Sequence, residues 1–184
     1  MSVETSSHAE IVLHSCCAPC SGPAIPRVQS LGHVTVFFSN SNIYPVAEYV
    51  RRRDELASYC ARRGVLFVED VYDPDGWMDA VKGLETEPEK GRRCAACFRY
   101  RLGRSAAWAK ANGRDLYTTT LTLSPHKDSA LLLTLGNEIA AEVGLGFGEI
   151  DFKKQDGFRK SLVISREEGF YRQNYCGCRF SMRG

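Results

Sequence analysis

Short apolar runs alternate along the chain with longer segments in which apolar residues recur every three or four positions. The runs are rich in β-branched and aromatic residues and predict strands, at residues 10–15, 33–38, 65–68 and 116–120, with a last apolar run near 145–150. The periodic segments predict helices, near residues 23–32 and at 45–63, 77–81, 94–112 and 128–143. Strands that alternate with helices favour an α/β fold of three layers, in which helices cover both faces of a mainly parallel sheet.

The length of the chain corresponds to one domain. It has 184 residues, of which 43% are apolar and 25% charged, a composition that excludes a disordered or fibrous protein. We expect a single domain over residues 1–184, with residues 1–9 flexible and the polar stretch 85–92 forming a mobile surface loop. The start is polar and acidic, unlike a secretory signal, and no apolar run reaches the roughly 18 residues of a membrane helix. These features predict a cytoplasmic protein without a membrane partner.

The abundance of cysteine calls for a chemical explanation. The chain has eight cysteines, and in a reducing cytoplasm such a number favours metal ligation or redox chemistry over permanent disulfides. Cys60 stands alone within a helical pattern, which predicts a buried packing residue. The other seven form three groups, Cys16-Cys17-Ala-Pro-Cys20, Cys94-Ala-Ala-Cys97 and Cys176-Gly-Cys178.

The first group follows the first predicted strand directly, at the sheet edge where open α/β folds bind ligands. No glycine-rich phosphate loop is present there. The adjacent cysteines Cys16 and Cys17 are an uncommon zinc pair, because zinc ligands are usually separated by about two to four residues, whereas the separate irons of a cluster can accept both. Cys94 and Cys97 open a basic helix, which favours thiolates, and they complete either a four-thiolate cluster or a zinc site. Cys20 is then a spare thiolate or a packing residue.

The third group differs because a single residue separates its cysteines. A disulfide between Cys176 and Cys178 would close a very small ring, and strained, accessible disulfides are catalytic or regulatory rather than structural. The alternative is a second pair of metal ligands.

Charge adds a hypothesis about the partner. Residues 92–114 contain seven basic residues and no acid, although the whole chain carries a net charge of only +2. Such an excess suits a polyanion such as RNA, and the alternative is a solvated helix face that only favours thiolates. The basic residues are Arg92, Arg93, Arg99, Arg101, Arg104, Lys110 and Arg114. A second, weaker cluster contains Lys153, Lys154, Arg159 and Lys160.

Longer motifs occur along nearly the whole chain. They are His14-Ser-Cys-Cys-Ala-Pro-Cys20, Asn40-Ser-Asn-Ile-Tyr-Pro45, Arg93-Cys-x-x-Cys-Phe-x-x-Arg-Leu102, Thr118-Thr-Thr-Leu-Thr-Leu-Ser-Pro125 and Tyr171-Arg-Gln-Asn-Tyr-Cys-Gly-Cys-Arg-Phe-Ser181. In content and order they resemble the QueH-type epoxyqueuosine reductases. The resemblance implies a Rossmann-like fold similar to the adenine-nucleotide hydrolases (HUP-like), with the nucleotide loop replaced by a cysteine motif.

The resemblance also implies an activity, which is the last step of queuosine biosynthesis. The epoxide of epoxyqueuosine, at the wobble position of tRNA, would be reduced by two electrons without cobalamin. Cys16, Cys17, Cys94 and Cys97 would bind a 4Fe–4S cluster, and Cys176 with Cys178 would be the redox-active pair. The family pattern allows one additional iron ion, for which Cys20 is the nearest ligand. The implied partners are tRNA and an electron donor that the sequence does not identify.

Acids or phenols near the site, such as Asp128, Asp151 and Tyr175, could donate protons to the epoxide oxygen. Two other functions are consistent with parts of the sequence. One is a zinc-stabilised tRNA-binding module without redox activity. The other is an ATP-dependent tRNA thiolase, which would need a Ser-Gly-Gly phosphate loop that this chain lacks.

Overall fold

A computed structural model describes residues 9–182, and strands and helices alternate through it. The strands are β1 (Ala9–His14), β2 (Gly32–Phe38), β3 (Leu66–Glu69), β4 (Leu116–Thr119) and β5 (Gly146–Phe147). The helices are α1 (Ala18–Gln29), α2 (Val46–Arg62), α3 (Pro74–Ala80), α4 (Arg92–Ala111), α5 (Ser129–Val143) and α6 (Gly157–Glu167). Two short 3-10 helices cover Thr120–Leu123 and Arg179–Ser181.

The five strands form one sheet in the order β3-β2-β1-β4-β5, and every pair is parallel. This confirms the predicted α/β class. The chain builds outward from β1 in one direction through β2 and β3, then returns to the other side of β1 with β4. The sheet therefore reverses its direction of growth between β1 and β4, and ligands of such sheets bind at the carboxyl ends of the strands that flank this point.

Two apolar clusters lie on opposite faces of the sheet and make the fold three-layered. The first cluster contains buried residues of α1 and α2, including Ile25, Leu56 and Cys60. The second contains buried residues of α4 and α5, including Leu102 and Leu132. Cys60 is completely buried, which confirms its interpretation as a packing residue.

Several boundaries differ from the predictions. α1 begins at Ala18, not near Pro23, because Pro19 already occupies the first turn, where proline is accepted. Cys20 therefore lies within this helix. α6 was not predicted, since its few apolar residues are interspersed with basic and hydroxyl side chains. The last apolar run forms only the two-residue strand β5.

The sequence predicts a single domain with a flexible start and a mobile loop at residues 85–92, and the structure describes part of these segments. Residues 1–8 of the segment expected to be flexible lie outside the described residues, and Ala9 already pairs with Gly32 in the sheet. Residues 85–91 form successive turns, and Arg92 of the predicted loop begins α4. The mobility of this loop and the single-domain organisation stay predictions. No helix within residues 9–182 is both long and apolar enough to cross a membrane.

Gly157 fixes the start of α6 by a close backbone approach. A Cβ built on Gly157 would lie 1.7 Å from the carbonyl oxygen of Phe152, whereas one built on Gly103, inside α4, would meet nothing within 4 Å. We expect Gly157→Ala to lower the free energy of unfolding by about 1–3 kcal/mol, as overpacking does. Gly103→Ala should instead raise it by up to about 1 kcal/mol, because alanine is the better helix former. Urea unfolding of both variants checks this, and equal effects would contradict the steric argument.

Candidate active site

The first cysteine group lies where β1 ends and the chain enters α1. Cys16 and Cys17 are buried, and their Sγ atoms are 3.6 Å apart. The Sγ atom of Cys20, from the first turn of α1, joins them, so that all three sulfurs lie within 4.8 Å of one another. Cysteine sulfurs therefore occupy the position at which related sheet architectures bind ligands.

The pKa values of these three thiols are shifted in different directions. Hydrogen bonds from Cys17 and Cys20 hold the pKa of the Cys16 thiol well below its ordinary value. The hydrogen bond to Cys16 raises the pKa of Cys17 to about 12, and the pKa of Cys20 is raised for the same reason. The group thus contains one sulfur that favours the thiolate and two S–H donors that stabilise it. A soft metal centre that replaces these protons would meet several thiolate ligands at once.

The second group lies on the first turns of α4. Cys97 is buried and Cys94 is half-buried, and the backbone N–H of Lys90 donates to the Cys94 sulfur at 3.3 Å. Burial raises the pKa of Cys97 to about 11 and also raises that of Cys94. The expectation that the basic helix start favours thiolates here is therefore wrong for the free thiols, because desolvation outweighs the nearby arginines.

The third group is held against the second by the end of the chain. Cys178 is buried and packs in one apolar cluster with Trp77, Val81 and Cys97. Cys176 is half-buried, and both thiols are unpaired. The segment is fixed by its backbone: Arg52 donates to the carbonyl of Cys176 at 3.1 Å, and Tyr44 N–H donates to the carbonyl of Gly177 at 2.8 Å.

One cavity brings the three groups together. It has a volume of about 500 Å³, and its cysteine lining is Cys16, Cys20, Cys94 and Cys176. A smaller gap beside it is lined by Cys94, Cys97, Cys176 and Cys178. The structure thus gathers six of the seven grouped cysteines around two adjoining spaces, and Cys17 contacts Cys16 directly behind the wall. Cys60 lies apart in the core.

Several cations surround these sulfurs, among them Arg101 and Lys127. Arg101 is buried and donates to the carbonyl of Ser39 and to the side-chain oxygen of Asn40, and its charge contributes to lowering the pKa of Cys16. Lys127 lines the cavity. Burial disfavours its charge, but the Cys176 and Cys16 sulfurs outweigh this and raise the pKa of Lys127. The sequence offered Arg101 only as part of a basic stretch and Lys127 not at all as a functional group, since their placement depends on tertiary packing.

The seven basic residues of the segment 92–114 have partners within the protein. Arg93 and Arg101 are buried, and Arg93 donates to the carbonyls of Glu85 and Glu87. Each of the other five contacts an acid or a carbonyl, in the pairs Arg92–Glu87, Arg99–Glu138, Arg104–Asp70, Lys110–Gly144 and Arg114–Glu10. Each of these cations thus already has a partner within the protein, and a contact between residues 92–114 and RNA stays a prediction.

The Arg104–Asp70 pair ties α4 to the end of β3. Arg104 donates to both carboxylate oxygens, one at 2.8 Å, and Ser39 donates to Asp70 at 2.7 Å. Burial alone would raise the pKa of Asp70, but these hydrogen bonds outweigh it and hold the pKa below its usual range. Because the folded pKa lies below the unfolded one, the ionised carboxylate stabilises the fold above the unfolded value, and this contribution is lost as pH falls through the folded value.

We expect Asp70→Asn to lower the free energy of unfolding at pH 7 by about 1–2 kcal/mol, after solvent screening is taken into account. Near pH 3 the difference between variant and wild type should shrink. Urea titrations at the two pH values measure both numbers. A difference that is constant with pH would show that the carboxylate charge does not matter.

The three predicted proton donors have different surroundings. Asp128 lines the cavity and caps α5 by accepting from the Leu131 N–H at 3.1 Å. Tyr175 also lines the cavity, with its hydroxyl donated to the carbonyl of Tyr44. Asp151 does not line it, and its carboxylate accepts from Ser129 and from the Lys153 N–H. Of the two predicted carboxylic acids, Asp128 is therefore the one that lines the cavity, and Glu89 is a further acid in the lining.

Known proteins resemble this chain over nearly its whole length. The profile of the family described as "Epoxyqueuosine reductase QueH" matches residues 11–184. Proteins of that name from three bacteria are similar to it. The protein from Streptococcus pyogenes serotype M1 is 38% identical, over 97% of this chain and 72% of its own length. The one from Haemophilus influenzae is 36% identical, over 96% and 73%, and the one from Thermotoga maritima is 34% identical, over 94% and 90%.

Proposed function

The chain belongs to the epoxyqueuosine reductase QueH family, and from that premise we propose how its cavity performs the reaction. It is an oxidoreductase that reduces epoxyqueuosine. We infer that its substrate is the modified base at the wobble position of a tRNA, which places the reaction in the cytoplasm. Reduction takes two electrons and two protons; the epoxide oxygen leaves as water, and the two carbons that carried it become an alkene.

One observation carries the proposal. Cysteines distant in sequence converge on a cavity of about 500 Å³ at the carboxyl edge of a parallel sheet. The space is open to a ligand and lined by sulfur on one side, with the cation Lys127 and the acid Asp128 also in its lining. Such a site combines groups that bind a redox metal with groups that handle protons.

The donor set fits a 4Fe–4S cluster. Cys16 and Cys17 present neighbouring buried sulfurs from the end of β1, and Cys94 and Cys97 present two more from α4. Four thiolates are the ligands that such a cluster requires. The buried charge of Arg101 offsets part of their negative charge. When bound, a cluster would supply electrons and, at an exposed iron, a Lewis acid that polarises the C–O bond of the epoxide.

We infer that Cys176 and Cys178 act as the redox pair. Cys176 lines the substrate cavity, whereas Cys178 packs against Cys97 of the cluster set. The dithiol thus connects the cavity to the proposed ligands, and its oxidation to a disulfide releases two electrons and two protons, the number that the reaction consumes. Gly177 lies between them and has a φ of +131°, a backbone conformation that residues with a side chain rarely adopt.

The remaining cavity residues are suited to hold the base and to deliver protons. Tyr175 lines the cavity and offers an aromatic face on which the modified base can stack. Lys127 and Asp128 also line the cavity, and we infer that they hand protons to the departing oxygen.

Anaerobic purification with metal and sulfide analysis tests the proposal. About four iron and about four sulfide ions per chain are expected, together with conversion of epoxyqueuosine-tRNA to queuosine-tRNA. A fifth iron would support an additional ion, for which Cys20 is the nearest ligand. A colourless protein that contains zinc and binds tRNA without reducing it would overturn the proposal in favour of the binding module.

A further inference from the structure

A second groove lies beside the active-site cavity. It has a volume of about 620 Å³ and runs between α1 and α6. The two spaces share Leu123, and α6 forms a wall of both. Phe158 and Ser161 of α6 line the cavity. The two residues between them, Arg159 and Lys160, line the groove. A polymer with one unit in the cavity would therefore reach the groove by crossing α6.

The groove carries positive charges that the fold does not use. Lys154, Arg159 and Lys160 are exposed and line it, and within residues 9–182 none of their side chains makes a hydrogen bond or an ion pair. Asp156 is the acid in the lining, and it forms no ion pair with them either. This is the opposite of α4, whose basic residues are bound to internal partners.

Hydrogen bonds hold the backbone that carries these three cations. Arg27 of the groove donates to the carbonyl of Asp151 at 3.3 Å, and Lys153 donates to the carbonyl of Lys127 at 2.7 Å. These bonds tie the segment before α6 to α1 on one side and to the cavity on the other. The unpaired cations therefore follow a segment whose backbone is fixed by hydrogen bonds.

An aromatic side chain separates the two spaces. Phe158 is 36% exposed and lies at the cavity, one residue before Arg159. Aromatic faces next to free cations are the combination that binds single-stranded RNA, because bases stack on the rings and phosphates pair with the cations. A basic surface without aromatic groups would fit any polyanion less selectively.

We propose that the groove between α1 and α6 binds the tRNA backbone next to the base that enters the cavity. Lys154, Arg159 and Lys160 contact phosphates, and Phe158 stacks on a base that flanks the modified one. This inference rests on the proposed function, since it takes tRNA as the substrate, and it assigns the RNA contact to α6 instead of α4.

The test compares two charge-matched double variants, Arg159→Gln/Lys160→Gln in the groove and Arg99→Gln/Lys110→Gln on α4. The probe is a full-length tRNA transcript, titrated with the anaerobically purified protein at several salt concentrations. The groove variant should bind about tenfold more weakly, and its slope of log affinity against log salt should be smaller by about 1.5–2, because two phosphate contacts are lost. The α4 variant should stay within about twofold of wild type. Melting temperatures confirm that both variants fold.

Steady-state reduction provides the second arm. With epoxyqueuosine-tRNA the groove variant should show a raised KM at an unchanged kcat, because its residues bind RNA and do not touch the reacting atoms. A groove variant with wild-type salt slope and KM would overturn the inference, as would equal weakening by the α4 variant. Both results leave the proposed function intact when the wild-type protein still reduces the substrate. Failure of the wild type to reduce it, while the salt slopes still differ, would overturn the proposed function alone.

Discussion

Cys97→Ala is expected to abolish both the iron content and the reductase activity of the anaerobically purified protein. Cys97 is buried and lines the gap that adjoins the cavity. A 4Fe–4S cluster needs a thiolate at each corner, so removal of one exposes an iron to exchange and oxidation. The same loss is expected for the alanine variants of Cys16, Cys17 and Cys94.

Cys60→Ala is the matched control for this series. Cys60 is at least as deeply buried as each proposed ligand, yet it packs in the apolar cluster of α1 and α2, away from the cavity. Its loss should cost about 1 kcal/mol of stability and leave iron, colour and turnover intact. Iron and sulfide per chain, visible absorption and single-turnover reduction are the measurements.

Cys20→Ala makes the series decisive, because its sulfur lies within 4.8 Å of those of Cys16 and Cys17. With the proposed ligand set, Cys20→Ala keeps the four iron ions of the cluster. If Cys20→Ala bleaches the protein while Cys94→Ala keeps full iron, the cluster is held by the first group, and the ligand set must be redrawn. Full iron in any other single variant removes that cysteine from the set.

The fold was predictable where local pattern determines structure. The buried run of β1 and the amphipathic α2 follow directly from apolar periodicity, and the alternation of elements identified the parallel sheet. The start of α1 is predicted too late because the helix contains three prolines, and proline usually marks a helix boundary. The sequence pattern places the start at Pro23, whereas Pro19 occupies the first turn. α6 escaped prediction because it packs on α1 with few apolar residues, so its stability comes from contacts that no local pattern reveals.

The site was predictable in its cysteines but not in its charges. Spacing singled out the three groups, and the structure brings them to one place. The partners of the α4 arginines lie far along the chain, as Arg104 with Asp70 and Arg114 with Glu10 show. A count of basic residues cannot distinguish charges that are neutralised by such contacts from charges that are free for RNA. The pKa of Cys97 likewise depends on burial, which the sequence does not give.

Cys178→Ser is expected to leave iron and sulfide close to wild type while multiple-turnover reduction collapses. The Cys178 sulfur is buried beside Cys97 and donates to the Ser181 hydroxyl at 3.5 Å, so serine fits the same space and can keep this hydrogen bond. What serine cannot do is form a disulfide with Cys176. A reduced variant should still complete a partial first turnover, because electrons held at the cluster do not require the dithiol.

Ser181→Ala is the control for this variant. It removes the hydrogen-bond partner of Cys178 but keeps both thiols, so turnover should persist. In the wild-type protein, thiol trapping before and after oxidation should detect two forms that differ by two reactive sulfurs. Loss of iron in proportion to activity in Cys176→Ser, together with no two-sulfur change on trapping, would make this pair metal ligands. Since Cys176 lines the cavity beside Cys94, the cluster would then include the third cysteine group, and the four-cysteine set would be wrong.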